Sequence, residues 1–399
     1  MGPIKKSILT INGGSSSIKF SLYKTGQYLG QLLTGEVEGI GSKNTKLNFH
    51  DFISNQKSSV PLQIANHDDA INFLVNWLEK QECFSNVKAI GHRIVQGMKH
   101  TRPELITDEL LGELKKFSVY DPEHLPDELK LIEAFRNRYP ALPQIACFDT
   151  AFHTSMPDVA KLLPVPRRYY NAGIQRYGFH GLSYTYLMEE LKQLSGIEAT
   201  QGKVILAHLG NGASITAVRE GKSIDTSMSF TPTGGLPMST RTGDLDPGVA
   251  LYLMRTENIK PDQFSNLINH QSGLLGISET SSDMRDLLKV QNTDKRAAEA
   301  IDLFCYQAKK YIGAYAAVLG GIDTLVFSGG IGENAPEIRH RICNGLEFLG
   351  IELNESSNQI NEPIISNDRS KVTVRVIKTN EELMIAKLVC QVLNYNIKN

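Results

Sequence analysis

The sequence is short of paired cysteine, of surplus charge and of long apolar runs. Its five cysteines, Cys83, Cys147, Cys305, Cys343 and Cys390, are odd in number and widely scattered. They form no C-x-x-C pair, which argues against a zinc site or a disulfide framework and for reduced thiols in a cytoplasmic protein. Lys and Arg number 42 against 43 Asp and Glu, a formal net charge of −1. Without a basic field, nucleic acid is not an expected partner. The early apolar run from Ile8 to Ile11 is far too short for a signal peptide or a membrane span. Lys6 stands where a myristoylation signal opened by Met1-Gly2 wants Ser or Thr, so no membrane association is expected. Also missing are the spacing G-x-x-x-x-G-K-[ST] and any G-x-G-x-x-G opening a helix after these turns, which makes a Walker-type ATPase or a Rossmann dehydrogenase a poor fit. At 399 residues, 41% hydrophobic and 21% charged, the chain has the makeup of an ordinary globular protein of two domains.

What the chain does have is three short apolar runs, each ending in glycine. Ser7-Ile8-Leu9-Thr10-Ile11 precedes Asn12-Gly13-Gly14-Ser15-Ser16-Ser17. Val204-Ile205-Leu206-Ala207 precedes Gly210-Asn211-Gly212-Ala213-Ser214, and Thr324-Leu325-Val326-Phe327 precedes Ser328-Gly329-Gly330-Ile331-Gly332-Glu333-Asn334. Each reads as a buried strand running into a loop whose backbone N–H groups can be aimed at an anion, because no side chain blocks its approach. The first two repeat one pattern. Lys6–Leu9 lies over Lys203–Leu206, Gly13 over Gly210 and Ser17-Ile18 over Ser214-Ile215, after which both segments alternate and turn again. A β-hairpin with a phosphate at its tip, used twice, fits this pattern.

Between these turns the chain alternates strands and helices, an α/β pattern. Helices are expected near Asp68–Lys80 and His124–Arg138, over Asp294–Leu319 with Gly320-Gly321 as the stop, and from Glu381 to about Leu393. A stripe including Ala308, Gly313 and Ala317 suggests close packing of the long helix. The basic, proline-containing segment Lys161–Arg168 follows a domain boundary expected near residue 150.

Several residues have the chemistry of an anion site. Asn12 and Lys19 flank the first turn, where an amide oxygen suits Mg²⁺ and an ammonium suits phosphate; a capped turn beside a solvated lysine is the other reading. Arg93, in Gly91-His92-Arg93-Ile94-Val95, sits at a strand end as a carboxylate or phosphate clamp or as half of a surface ion pair. Asp149, in Phe148-Asp149-Thr150-Ala151-Phe152-His153, can hold substrate, orient an arginine, accept a proton or cap a helix. His180 lies between Gly178-Phe179 and Gly181, open to ligand approach or simply structural, and can donate to a phosphoryl oxygen. The long turn-rich segment Thr231–Asp244 carries Arg241, buried among small residues, as a second clamp. Ser281-Ser282-Asp283-Met284-Arg285 reads as a serine-capped helix start with Asp283 in its first turn; Arg285 is left open for nucleotide. Thr379-Asn380-Glu381-Glu382 opens the last helix, as a cap or as a source of carboxylate for Mg²⁺.

In this order, from Ile8 to about Leu393, the motifs resemble those of the acetate kinases, short-chain carboxylate kinases of the actin, sugar kinase and Hsp70 ATPase superfamily. The specific pieces are Asn-x-Gly-Ser-Ser-Ser-x-Lys at 12–19, Phe-Asp-Thr-Ala-Phe-His at 148–153, Tyr-Gly-Phe-His-Gly at 177–181, His-Leu-Gly-Asn-Gly at 208–212, Ser-Gly-Leu-Leu-Gly-Ile-Ser at 272–278, Gly-Gly-Ile-Gly-Glu-Asn at 329–334 and Thr-Asn-Glu-Glu at 379–382. The resemblance implies a two-domain, duplicated ribonuclease H-like fold with an interdomain active-site cleft. An N-terminal carboxylate- and phosphate-binding domain of residues 1–150, joined by about 381–399, would face a nucleotide-binding and dimerisation domain of residues 151–380. It implies reversible phosphoryl transfer from ATP to acetate, giving acetyl phosphate and ADP, with Mg²⁺ (or Mn²⁺), in a cytoplasmic homodimer. Carried onto matching positions, Asn12 and Glu381 serve the metal. Lys19, His208, Leu209, Gly210, Asn211, Gly212, Asp283, Met284, Arg285, Gly330, Ile331, Gly332, Glu333 and Asn334 bind nucleotide. Arg93 and Arg241 hold carboxylate and transferring phosphoryl, His180 stabilises its equatorial charge, Asp149 positions or deprotonates the substrate, and Val95, Phe179 and Pro232 form the acyl pocket.

The chain departs from the family at Gln96 and Met98, where His and Gly are usual, at Leu182 and Tyr184, where Thr and His are usual, and at Glu123, where many members have Leu. A propionate or butyrate kinase is the alternative within the family, and an actin- or Hsp70-type ATP switch the alternative outside it.

Overall fold

The protein, described as a computed structural model over residues 6–14, 16–42 and 44–397, forms two compact units, Met1–Ala151 with Asn380–Asn399, and Phe152–Thr379. The expectations that fall on Met1, Gly2, Ser15 and the last two residues lie outside the described residues.

In the first unit, strands β1 (Ser7–Gly13), β2 (Ser17–Lys24), β3 (Gly30–Glu38), β4 (Lys46–Asp51), β5 (Gln56–Pro61), β6 (Val87–Ile94), β7 (Glu104–Leu105) and β8 (Gln144–Phe148) form one sheet. Its order is β5-β4-β3-β2-β1-β6-β8-β7, with β1, β6 and β8 parallel and the other pairings antiparallel. Successive β1 residues point to opposite faces. Leu9 and Ile11 join a core with Leu131, Phe135 and Leu74, while Ile8 and Thr10 on the other face are fully buried too. That double burial explains why β1 reads as a continuous apolar run rather than an alternating one. The helix Glu381–Val392 packs on β1 and β6, with Ile385 and Val389 closing over Gly91.

In the second unit, β9 (Lys203–Leu209), β10 (Ala213–Arg219), β11 (Lys222–Thr226), β12 (Thr324–Ser328) and β13 (Thr373–Val376) order as β11-β10-β9-β12-β13, again two antiparallel pairings and then two parallel ones. The run β3-β2-β1-β6-β8 has the same pattern, so one ribonuclease H-like sheet occurs in each unit.

The repeat is looser at its tips than the sequence suggests. Gly13 pairs with Ile18, whereas Leu209 pairs with Ala213 and Gly210 N donates to Gly212 O at 3.0 Å. The second hairpin is therefore tighter, and Ser214-Ile215 does not take the register of Ser17-Ile18. The third turn is not a loop: Gly329–Asn334 is a short helix directly after β12, its Gly329 N–H accepted by the Glu333 side chain.

The long helix runs Lys295–Leu319, capped by Asp294 and ended by Gly320. Its buried face is Ala297, Ala300, Ile301, Phe304, Ala308, Ile312, Tyr315 and Leu319. Of the small-residue stripe only Ala308 lies on that face: Gly313 has open space beside it and Ala317 is exposed. The helix Met284–Val290 is capped by Asp283, which accepts from Arg285 N, rather than by a serine.

Candidate functional site

In the first unit the site is built from charge. Arg93, at the end of β6, donates from Nη2 to Asp149 Oδ2 at 2.9 Å and from Nη1 to Glu128 Oε1 at 3.2 Å and Gly13 O at 3.4 Å. Asp149 is completely buried and follows β8, where its N–H donates to Ile94 O. It holds an arginine. The pair is buried, not a surface ion pair, so removing either partner leaves an expensive uncompensated charge. Glu128 also accepts from Val95 N at 2.8 Å. Burial pushes the Glu128 carboxyl up to about 8 against the pull of Arg93 and the Val95 N–H, with Asp121 and Asp149 adding to the rise. Two carboxylates around one guanidinium favour a proton on one of them.

Beside them, Asn12 Nδ2 donates to Glu381 Oε2 at 2.9 Å and to Glu382 Oε1 at 3.3 Å. Burial raises the Glu382 carboxyl, and Glu381 raises it further, while Lys19 and Asn12 oppose the rise. Lys19 pairs across the hairpin with Asn12. Partial desolvation lowers its ammonium, but Glu382, Glu36 and Glu381 outweigh that and hold it above its ordinary value. Adjacent carboxylates under mutual repulsion, with an amide whose oxygen and nitrogen exchange by a simple flip, suit a hard divalent cation.

The second unit gathers backbone and neutral donors around one arginine. A Cβ at Gly212, on the β9–β10 tip, would lie 3.1 Å from His180 Nε2 and 3.7 Å from Arg241 Nη1. Only glycine leaves room there for an anion. His180 stacks on His208 with ring centroids 4.2 Å apart, and a Cβ at Gly210 would come within 3.8 Å of Gly330 N. Arg241 is half-buried rather than buried, with Nη1 donating to Pro232 O at 3.2 Å. Its loop is pinned to the hairpin by Ser239 N donating to Asn211 O at 3.2 Å, and to the long helix by the Tyr311–Asp244 hydrogen bond. Gly273, at φ +60, lets the loop close: a Cβ there would lie 2.1 Å from Met238 O and 2.6 Å from Arg241 O.

The other expected residues are placed as follows. Val95 and Phe179 are buried, and Phe179 O is bonded to His153 Nε2 at 2.9 Å. Leu209 and Met284 turn their side chains into the core, leaving only backbone for a ligand. Glu333 braces the site: it accepts from Gly329 N and Thr379 N at 2.9 and 3.1 Å. Asn334 Nδ2 donates to Gly330 O at 3.0 Å. Asp283 and Arg285 pair with each other, with Arg285 largely exposed. Met98 keeps a left-handed backbone, φ 49, at the position where the resemblance expects glycine.

Two residues escaped the sequence reading. Glu128 lies on the apolar face of its helix with Leu125, Leu129 and Ile132, and an acid in such a stripe is the signal that marks it. Glu382 was read only within the segment Thr379–Glu382, as a cap or a source of carboxylate, while Glu381 alone was carried over to the metal. The folded chain makes it a second carboxylate on Asn12.

A sequence model described as the acetokinase family matches residues 7–387. The acetate kinase of Thermoanaerobacterium thermosaccharolyticum is 44% identical over 393 residues, covering 95% of this chain and 97% of its own length. The crystal structure of Porphyromonas gingivalis acetate kinase is similar at 36% identity and TM-score 0.85, covering 97% of this chain and 100% of that one. A propionate kinase from Francisella tularensis is similar at 37% identity and TM-score 0.88, over 96% and 98% of the two chains.

Proposed function

The chain belongs to the acetokinase family, and we propose that it transfers the γ-phosphoryl group of ATP reversibly to acetate, giving acetyl phosphate and ADP. The observation that carries this reading is the meeting of His180 Nε2 and Arg241 Nη1 beside Gly212 at a glycine hairpin. Two donors converge there on space suited to an anion.

Acetate is already ionised at pH 7, so the reaction needs no strong base. An acetate oxygen attacks phosphorus as the bond to the ADP oxygen breaks, and positioning with charge neutralisation suffices. Arg93 holds the carboxylate, steadied by Asp149 and Glu128, which makes Asp149 a positioning group. Val95, Phe179 and Pro232 bound the methyl group. His180 and Arg241 stabilise the transferring phosphoryl oxygens. Lys19, His208–Gly212, Asp283–Arg285 and Gly330–Asn334 bind nucleotide, Leu209 and Met284 through backbone alone and Glu333 by holding the turn. Asn12 and Glu381, with Glu382, hold Mg²⁺, or Mn²⁺ in its place, which when bound neutralises phosphate charge.

The protein works as a cytoplasmic homodimer in this reading. Support for a second copy comes from the helices Pro247–Thr256 and Pro261–His270, in which no residue is buried. Leu251 and Tyr252 are exposed beside a hollow lined by Phe230, Leu245, Phe264 and Ile268. Apolar area of this kind ordinarily marks an interface.

Similarity to a propionate kinase favours a second reading, propionate as acceptor. One methylene is worth only about 1–3 kcal/mol to a pocket. Trapping acyl phosphate as the hydroxamate, with C2 to C4 acids compared by kcat/KM, tests both. Acetate is expected to lead; a clear preference for propionate or butyrate moves the assignment, and ATP turnover indifferent to carboxylate defeats it.

A further inference from the structure

The helix Gly181–Gln201 begins immediately after His180, which takes a left-handed backbone, φ 61. One turn on, Tyr184 is fully buried, its ring packed edge-on to the rings of His153 and His180. The Tyr184 hydroxyl is hydrogen-bonded to Ser214 Oγ on β10, and the same oxygen lies 2.8 Å from His180 Nδ1. Ser214 is itself fully buried.

A serine hydroxyl has one proton, so the two bonds are set together. When Ser214 donates to His180 Nδ1 it accepts from Tyr184, and the proton of the neutral imidazole is then on Nε2. That nitrogen is the one facing Gly212 and Arg241 Nη1. An anion there needs a donor, and for the neutral ring only this direction of the chain supplies one. The ring plane is fixed from the side by His208, whose Nδ1 is bonded to Ser183 Oγ at 2.8 Å.

We propose that Tyr184 is a positioning residue: acting through Ser214, it fixes the tautomer and aim of His180 so that Nε2–H is presented to the transferring group. The inference rests on the reading of His180 given above. It also gives Tyr184, a departure from the family pattern, a task that its phenol performs as a single donor.

Tyr184→Phe keeps the ring and removes the hydroxyl. Outer-shell partners of this kind are worth about 10–100-fold. The variant is expected to lose about tenfold in kcat, with KM for ATP within about twofold, and the ring ¹⁵N signals of His180, read without substrate, shift from one Nε2–H tautomer to a mixture. Ser214→Ala cuts the same chain at its middle and is expected to lose as much, with no further loss in the double variant; it carries the test should Tyr184→Phe fail to fold. An unchanged tautomer, unchanged kcat in a folded Tyr184→Phe, or losses that multiply in the double variant overturn the proposal. Near-normal turnover in His180→Ala with the tautomer shift present in Tyr184→Phe defeats the role of His180 instead.

Discussion

In the first unit an arginine lies between two buried carboxylates, with a lysine and two more glutamates alongside, whereas in the second a half-buried arginine stands beside a backbone carbonyl, a histidine and a glycine hairpin. The two units share a sheet order, so the difference comes from what the strand ends carry. Buried ion pairs tie the first site to folding, because each charge there depends on a partner. In the second, backbone N–H groups and neutral donors are already paid for by the sheet, and side chains at its rim can change with little effect on stability.

Arg241→Ala is the sharpest test of this contrast. It is expected to lower kcat by about 10²–10³-fold, the scale of losing one transition-state donor. ATP affinity and the denaturation midpoint are expected to stay near wild type, as equilibrium nucleotide binding and urea melts would report. A midpoint that falls as steeply as the rate breaks the comparison. Arg93→Leu is expected to do what Arg241→Ala does not: by stranding Asp149 and Glu128 it costs about 3–5 kcal/mol of stability as well as activity. Urea unfolding checks it, and a variant as stable as wild type contradicts the buried-pair account.

Gly212→Ala places a methyl 3.1 Å from His180 Nε2. It is expected to reduce kcat/KM for ATP about tenfold or more while the midpoint moves by less than about 1 kcal/mol. Glu128 gives a smaller, pH-dependent signal. Its folded pKa is raised to about 8, so the folded state holds a proton that the unfolded state has lost. This contribution is full at pH values below the ordinary carboxylate range and fades as pH rises toward 8. Glu128→Gln is expected to flatten the decline of stability between about pH 5 and 8, read from unfolding curves at several pH values; an unaltered slope refutes the assignment.

Much of this was legible because local pattern and final environment agree. Ser7–Ile11 and Val204–Ala207 are continuous apolar runs and become doubly buried strands; the periodic helix ending at Leu319 stops at Gly320 as its glycines indicate. The Gly329–Asn334 helix was hidden because three glycines in six residues oppose helix formation, and long-range and side-chain bonds hold that turn: Glu333 on Gly329 N, Asn334 on Gly330 O and Arg339 on Gly332 O. Capping by Asp283 rather than a serine is a one- or two-residue choice that propensity does not settle. Long-range partners were least visible. Glu128 meets Arg93 across 35 positions and Tyr184 meets Ser214 across 30, and no local spacing encodes either meeting.

The proposed function requires both Arg93 and Arg241 for phosphoryl transfer to a carboxylate. Acetate-dependent hydroxamate formation by wild type, Arg93→Ala and Arg241→Ala, at saturating ATP, tests it most directly. The account predicts rapid acetohydroxamate formation in wild type and a loss of at least about a hundredfold in both variants. ATP turnover that ignores acetate, or near wild-type hydroxamate formation in either variant, would contradict it.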